Sequence, residues 1–271
     1  MSKVVMVTGA SAGIGQATAA AFARRGYRLA IAARTAAPLK EVAIALEKDF
    51  NAEVLAIPTD VTDPEQVRQL VEATRDRYGA IDILVNNAGI CASGPFAEMS
   101  LEQLQQLMEV NFWGYVHTIQ AVLPHMLQQN NGQIVNVGSF GGKMPLPRMA
   151  AYCASKYAVT GLTETLRLEL EPQGIQIIGV HPGVVNTSFL ERAIFVGDAA
   201  SSNGGSARQQ MEATLDSMVA QQPEEIAEAI VRASTTGQKD VVVGPLQVAT
   251  AAYQLLPGIV GPLMSRLPRN R

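Results

Sequence analysis

Short apolar runs alternate with longer helical patterns along most of the chain, and this alternation limits the fold more than any other feature. The predicted strands are residues 4–8, 28–33, 53–57, 81–85, 133–137, 175–180 and 240–243. These runs are almost continuously apolar, which is typical of parallel strands buried on both faces. The predicted helices are residues 13–25, 38–50, 64–78, 101–129, 151–171 and 223–235. The pattern predicts an α/β fold, a doubly wound and mostly parallel sheet of about seven strands flanked by helices.

The alternation indicates one domain over residues 1–246, with an irregular segment inside it and an extension after it. Residues 188–222 break the rhythm and are rich in glycine and serine around 199–206, so we expect a substrate-binding lid there. Residues 247–271 form an apolar, then basic extension. It could pack as a helix on its own domain, cover an apolar substrate pocket, pack against another subunit or touch a membrane surface. Prolines and glycines interrupt its apolar stretch, so we expect no membrane span.

Composition excludes several classes of function. The formal net charge of −3 gives no electrostatic footprint for nucleic acid. Two cysteines, Cys91 and Cys153, are too few for a disulfide framework, so we expect a reducing, cytoplasmic setting. The three histidines, His117, His125 and His181, lack metal-ligand spacing, and no metal site is expected.

A glycine-rich turn joins the first predicted strand to the first predicted helix. Its pattern is Gly-x-x-x-Gly-x-Gly, and the predicted cofactor contacts in it are Gly9, Ser11, Gly13, Ile14 and Gly15. Glycines at such a junction allow a tight turn and the close approach of a pyrophosphate, whose charge suits a helix N-terminus. A turn without any ligand is the other reading, but the strand–turn–helix context favours a Rossmann-like dinucleotide site.

The end of the second predicted strand bears on the choice of dinucleotide. An acid there would bind the ribose hydroxyls of NAD, but this chain has Arg34 and Thr35. An arginine can pair with the 2′-phosphate of NADP, and a threonine can add a hydroxyl. NADP(H) is therefore favoured over NAD(H).

Tyr152 and Lys156 lie four residues apart on a predicted helix and so share one face. A free tyrosine has a pKa of about 10, too high for efficient proton transfer at neutral pH. A neighbouring ammonium lowers this pKa by favouring the phenolate. Ser139 follows a predicted buried strand, at the kind of position where open α/β sheets bind ligands.

These features together resemble the short-chain dehydrogenase/reductase family over roughly residues 3–187. The matching pieces, in order, are the turn Thr8–Gly15, Asp60-Val61, Asn86-Asn87-Ala88-Gly89, Asn111, Ser139, Tyr152 with Lys156, and Pro182-Gly183 with Thr187. Short motifs are individually weak, and it is their order and spacing that make the set specific. One departure is Ala12, where NADP-dependent members often have a basic residue.

The resemblance implies four catalytic roles. Tyr152 would be the general acid in reduction and the base in oxidation. Lys156 would lower the pKa of Tyr152 and bind the nicotinamide ribose. Ser139 would hydrogen-bond to the substrate oxygen as charge develops there. Asn111 would hold a water that links Lys156 to solvent as a proton relay.

The resemblance also implies contacts with the dinucleotide. Asp60 and Val61 would contact the adenine, although Asp60 can equally be read as a turn residue before a helix. Thr187 would bond the carboxamide of the nicotinamide. The residues that would line the cofactor or frame its nicotinamide are Asn87, Ala88, Gly89, Pro182, Gly183, Val185 and Thr187.

The sequence thus predicts an NADP(H)-dependent oxidoreductase that interconverts a carbonyl and an alcohol on an apolar small molecule. Alternatives are a non-catalytic dinucleotide-binding sensor or scaffold, and a related enzyme such as an epimerase or dehydratase. The set Asn111, Ser139, Tyr152 and Lys156 favours the oxidoreductase, because a protein that only binds has no chemical need for it. By analogy with the family we expect a homodimer or homotetramer.

Overall fold

A computed structural model of the protein describes residues 2–185, 193–196 and 220–259. The main sheet contains the strands β1 (Val4–Thr8), β2 (Arg28–Ala33), β3 (Val54–Pro58), β4 (Ile83–Asn86), β6 (Gly132–Val137), β7 (Ile175–His181) and β9 (Asp240–Val242). Their spatial order is β3-β2-β1-β4-β6-β7-β9, and every pairing is parallel. The predicted α/β fold with a seven-stranded sheet is confirmed.

Helices cover both faces of this sheet. The helices are α1 (Gly13–Ala23), α2 (Ala36–Phe50), α3 (Pro64–Tyr78), α4 (Leu101–Met108), α5 (Gly114–Gln129), α6 (Ala150–Leu170), α7 (Pro223–Thr236) and α8 (Leu246–Leu255). On one face, Phe22 of α1, Leu46 of α2 and Ile230 of α7 share a buried apolar core. On the other face, Leu70 of α3 and Val122 of α5 belong to a second buried core. Burial on both faces explains why the strand sequences are continuously apolar.

The chain reverses its direction across the sheet at β1, which pairs with β2 on one side and with β4 on the other. Connections leave these strands toward opposite edges of the sheet. Such a switch point opens a crevice beyond the carboxyl ends of the strands, where open α/β sheets bind ligands. The glycine-rich turn follows β1 and the segment Asn87–Gly89 follows β4, so both border this crevice.

Residues 101–129, predicted as one regular helix, are interrupted. A π-helical turn, Glu109–Trp113, separates α4 from α5 and contains Asn111. Such a turn accommodates one extra residue and is frequent at functional sites. A small parallel sheet of β5 (Ala92–Ser93) and β8 (Ile194–Phe195) was also not predicted.

The described part of the C-terminal extension consists mainly of α8, which packs on the domain through Thr250. The Thr250 hydroxyl is buried and lies 3.8 Å from the sulfur of Met144. Of the predicted lid, residues 188–222, only 193–196 and 220–222 are described, and Thr187 lies outside the described residues. No described helix combines the length and the apolarity that a membrane crossing requires.

Candidate active site

A cleft of about 150 Å³ lies at the carboxyl ends of β1, β4, β6 and β7. The structure brings most of the predicted site residues together around it. The lining residues are Gly9, Ala12, Gly13, Ile14, Asn87, Ala88, Gly89, Val137, Gly138, Ser139, Tyr152, Lys156, Pro182, Gly183 and Val185. The predicted residues that do not line the cleft are Ser11, Gly15, Arg34, Thr35, Asp60, Val61 and Asn111.

The glycine-rich turn depends on three glycines. Gly9 and Gly13 have φ angles of +65° and +56°, a region that favours glycine. Gly15 needs its missing side chain for a different reason. A Cβ there would collide with the carbonyl oxygen of Gly9 and lie 2.5 Å from Nδ2 of Asn87. The turn can therefore close onto the segment after β4 only with glycine at position 15.

Thr8 and Asn87 join the turn after β1 to the segment after β4. The Thr8 hydroxyl oxygen accepts bonds from the backbone N–H groups of Asn87, at 3.0 Å, and Ala88, at 3.2 Å. In return, Nδ2 of Asn87 donates to the carbonyl oxygens of Thr8, at 3.1 Å, and Gly9, at 3.2 Å. Thr8 was not predicted as a site residue, although it immediately precedes the glycine motif.

The N-terminus of α1 fits a pyrophosphate. The helix begins at Gly13 beside the cleft, no side chain caps it, and its first turn contains no acidic residue. Its first backbone N–H groups and the positive end of its dipole are thus available to an anion. The missing Cβ atoms of Gly9 and Gly15 allow the turn to pack closely against the segment Asn87–Gly89.

Arg34 and Thr35 follow β2 at the same edge of the sheet, and both are exposed. Among the described residues, none pairs with the guanidinium of Arg34. Asp60 follows β3, and its Oδ1 accepts bonds from the N–H of Thr62, at 3.0 Å, and from its hydroxyl, at 2.8 Å. Asp60 therefore acts as a turn residue, which leaves its predicted adenine contact a prediction. The neighbouring Val61 is buried.

Ser139, Tyr152 and Lys156 meet at the buried end of the cleft, each less than a tenth exposed. Ser139 follows β6 and is hydrogen-bonded to Tyr152 of α6. One turn further along α6, Nζ of Lys156 donates to the carbonyl oxygen of Val137 at 3.0 Å. The same ammonium lies 5.5 Å from the ring centre of Tyr115, a cation–π contact. Tyr115 was not predicted as part of the site.

Burial dominates the charge states of this group. It raises the pKa of Tyr152, and the hydrogen bond with Ser139 only partly opposes the rise. The net shift is therefore opposite to the predicted lowering, because desolvation of the phenolate is the largest cause and the charge of Lys156 is not among the causes that lower this pKa. Burial also lowers the pKa of Lys156 to about 8. At neutral pH, Tyr152 is thus protonated and Lys156 is mostly an ammonium.

Asn111 is fully buried in the π-helical turn and uses its whole amide on protein partners. Its Oδ1 accepts from the N–H of Ile90 at 2.8 Å, and its Nδ2 donates to the carbonyl oxygen of Ile90 at 2.9 Å. Nδ2 also donates to the hydroxyl of Ser155 at 2.9 Å. Asn111 therefore fixes the segment after β4 to α6. Its role in a water relay to Lys156 stays a prediction.

The segment after β7 closes the cleft and is held by a residue that the sequence did not indicate. The carbonyl oxygen of Pro182 accepts from the N–H of Phe140 at 2.9 Å. The N–H of Gly183 donates to Oε1 of Gln221 at 3.1 Å. Gln221 itself pairs with Val185 in a parallel bridge. It lies in the predicted lid, where no motif marks it.

A buried apolar cluster includes Tyr152, and none of its other members lines the cleft. Its other members are Cys91, Ala92, Met99, Leu107, Ala151 and Val196, all of them buried. Burial raises the pKa of the Cys91 thiol to about 12, so this thiol is not a nucleophile at neutral pH.

Comparison with known proteins decides the family. A family model described as short chain dehydrogenase matches residues 3–194. The chain belongs to the short-chain dehydrogenase family. An uncharacterised oxidoreductase of Staphylococcus saprophyticus is 40% identical over 185 residues, which is 68% of this chain and 79% of the relative.

Solved structures of other short-chain dehydrogenases superpose over almost the whole chain. One from Burkholderia phymatum in complex with NAD has a TM-score of 0.85 and 27% identity, covering 100% of this chain and 97% of its own. One from Sphingobium yanoikuyae in complex with NADPH has a TM-score of 0.77 and 30% identity, covering 99% and 97%. The resemblance inferred from the motifs is confirmed. The protein is an NAD(P)-dependent oxidoreductase of this family.

Proposed function

We propose that this short-chain dehydrogenase interconverts a carbonyl and an alcohol on an apolar small molecule, using NADP(H). The observation that carries the proposal is the buried Ser139–Tyr152 pair beside the Lys156 ammonium, at the inner end of the cleft. Two hydroxyls and one cation there surround a position where a carbonyl oxygen can be bound and protonated.

The reaction follows from the charge states of these groups. Ser139 and Tyr152 donate hydrogen bonds to the substrate oxygen, and Ser139 stabilises the negative charge that develops on it. The bound dinucleotide supplies the hydride. Tyr152 then transfers its phenolic proton to the oxygen, and the Lys156 ammonium stabilises the phenolate that remains. Because burial raises the pKa of Tyr152, the phenol keeps its proton at neutral pH, and the Lys156 ammonium is the group that can favour the phenolate once the proton leaves.

The choice of NADP(H) rests on Arg34 and Thr35. No acid follows β2, and an exposed guanidinium without a described partner is available to a 2′-phosphate. The pyrophosphate would lie on α1, with Gly9, Ser11, Gly13, Ile14 and Gly15 around it. The nicotinamide would lie between the segment after β4 and Pro182-Gly183, with its ribose bound by Tyr152 and Lys156.

The proposal of an apolar substrate is based on the buried apolar cluster, defined above by six residues, that includes Tyr152. Apolar side chains beside Tyr152 favour a largely hydrocarbon substrate, since a charged group packed against them would lose its hydration. We also propose a cytoplasmic homo-oligomer. Two free, buried cysteines support the setting, and analogy with the family supports the assembly.

The test is Tyr152→Phe, assayed by NADPH absorbance against a panel of ketones and aldehydes. Loss of the proton donor should lower turnover about 10²- to 10⁴-fold while NADPH still binds. The matched control is Tyr157→Phe, because Tyr157 lies on the same helix and is exposed. Turnover by Tyr152→Phe at the control's rate would refute the mechanism. A wild-type protein that binds NADPH but reduces nothing in the panel would favour the sensor or scaffold alternative.

A further inference from the structure

One carboxylate bridges the two segments on either side of the proposed reaction centre. Asp240 begins β9, and its Oδ1 lies 2.9 Å from Nε2 of His181. Its Oδ2 lies 3.2 Å from Nζ of Lys143. Lys143 ends the short turn that follows Ser139, and His181 ends β7 directly before Pro182. Since an ionised carboxylate only accepts hydrogen bonds, Nε2 of His181 carries the donated proton.

Both partners of Asp240 are buried, so each needs a hydrogen-bond or charge partner. The side chains of Lys143 and His181 are 4% and 2% exposed, whereas that of Asp240 is 40% exposed. Lys143 has a second partner, Glu164 of α6, at 2.7 Å. Burial raises the pKa of Asp240, but the bond from His181 and the charge of Lys143 outweigh it, and the net pKa is lowered. The carboxylate is therefore ionised at neutral pH and serves both partners at once.

The two bridged segments enclose Ser139. The N–H of Gly138 donates to the carbonyl oxygen of Val180 at 2.7 Å, and the N–H of Phe140 donates to that of Pro182 at 2.9 Å. The His181 ring lies against Gly138, where an added Cβ would be 2.5 Å from Nδ1. Any shift of the His181 ring or of Lys143 thus acts on the residues immediately beside Ser139.

We propose that Asp240 is a positioning residue, which acts through Lys143 and His181 to fix Ser139 relative to Pro182-Gly183. This inference rests on the proposed function, in which Ser139 holds the substrate oxygen and Pro182-Gly183 frames the nicotinamide. A displacement of about 1 Å between reacting groups can cost about 10²-fold in rate. Asp240 is not among the residues that line the cleft, so its effect should fall mainly on turnover.

The test compares Asp240→Asn with Glu164→Gln. In Asp240→Asn the side-chain oxygen can still accept the hydrogen bond from His181. The side-chain NH2 group then faces the Lys143 ammonium, and because both groups are donors this side of the bridge is lost. Glu164→Gln removes only the exposed partner of Lys143 and leaves the bridge intact. Backbone hydrogen exchange of residues 138–143 and 181–183 is measured without substrate, and kcat and the KM for NADPH are measured with the best substrate of the panel. Lys143→Met, which breaks only one side of the bridge, serves as a second variant should Asp240→Asn unfold.

We expect Asp240→Asn to exchange faster in both segments and to lose about 10- to 100-fold in kcat, with KM for NADPH within about twofold. Lys143→Met should exchange faster in residues 138–143 alone, and Glu164→Gln should match the wild type. Equal exchange rates in Asp240→Asn and Glu164→Gln overturn the proposal. Faster exchange in Asp240→Asn with an unchanged kcat overturns it as well. Exchange does not require turnover. A wild type without carbonyl turnover would therefore count against the proposed function, while exchange would still decide whether Asp240 fixes these segments.

Discussion

The two sides of the cleft differ in the chemical groups that form their surfaces. On the cofactor side, formed by the residues after β1, β2 and β4, the surface consists of backbone and glycine, with Arg34 exposed at its rim. On the catalytic side, formed by β6, α6 and the residues after β7, it consists of buried polar side chains such as Ser139, Tyr152 and Lys156. In the proposed function, the first side would bind the dinucleotide through the free N–H groups at the start of α1. The second side would act through side chains whose charge depends on their burial.

Because of this difference, the two sides tolerate different kinds of amino-acid substitution. Adding atoms damages the cofactor side, because its glycines stand where a Cβ would meet backbone. Removing atoms damages the catalytic side, because a buried polar group that loses its partner retains its full desolvation cost. Asn111 lies between the two sides, since it fixes the segment after β4 to α6.

The largest expected effect concerns this junction. Asn111→Leu leaves both backbone groups of Ile90 without their side-chain partner, and each such loss costs about 1–3 kcal/mol. We expect the free energy of unfolding to fall by about 2–4 kcal/mol, measured by urea denaturation. Ser155→Ala removes only one of the bonds to Asn111 and should cost about 1 kcal/mol. Equal losses for the two variants would contradict the bridging role of Asn111.

The next prediction tests the cofactor side by adding a methyl group. In Gly15→Ala the new Cβ meets the Gly9 carbonyl oxygen, and overpacking of this kind costs about 1–3 kcal/mol. NADPH binding, followed by fluorescence titration, should weaken roughly 5- to 150-fold. The control is Gly161→Ala in α6, where an added Cβ has nothing within 4 Å. Unchanged NADPH affinity in Gly15→Ala would show that the pyrophosphate does not lie on this turn.

Arg34→Ala tests the rim of the cofactor side. Loss of a charge-assisted hydrogen bond should weaken NADPH binding about tenfold and leave NADH binding unchanged. The control is Lys48→Ala in the last turn of α2, the helix that follows Arg34, and it should affect neither dinucleotide. A parallel loss of NADH and NADPH affinity in Arg34→Ala would remove the basis for preferring NADP(H).

The smallest effect concerns the charge on the catalytic side. Burial lowers the pKa of Lys156 to about 8, so the ammonium is present below this pH and is lost above it. The rate of carbonyl reduction, as kcat/KM, should fall to about half its plateau near pH 8 and about tenfold by pH 9. In Lys156→Arg the decline should disappear, because a guanidinium stays charged. A wild-type profile that is flat to pH 10 would contradict the lowered pKa of Lys156.

Much of the fold could be predicted from the sequence because its signals are local. Asp63 accepts from the N–H groups of Glu65 and Gln66 and, with Pro64, starts α3 at the predicted residue. Continuous apolar runs marked all seven strands of the main sheet. The π-helical turn could not be predicted, because one extra residue leaves the helical pattern of 101–129 almost unchanged. The strands β5 and β8 are two residues each and have no periodicity to detect.

The sequence was sufficient to predict which residues form the site, but not how burial shifts their pKa values. Motif order identified Ser139, Tyr152 and Lys156, and the structure places all three at one cleft. The direction of the Tyr152 pKa shift was wrong because sequence spacing reveals a neighbouring charge but not the depth of burial. Gln221 and Asp240 were missed for another reason. Their partners lie far away in the sequence, and no local motif links them.

The position of Asp240 in the chain has a consequence for the order in which the protein is made. Synthesis begins at the N-terminus, and the first strands of a domain emerge from the ribosome well before the last. The strands that form the cofactor side are complete once β4 has emerged, whereas Asp240 is the first residue of β9, the last strand of the sheet among the described residues. Until then Lys143 and His181 lack the carboxylate that connects them. A nascent chain therefore acquires the strands of the cofactor side before it acquires the carboxylate that connects Lys143 and His181.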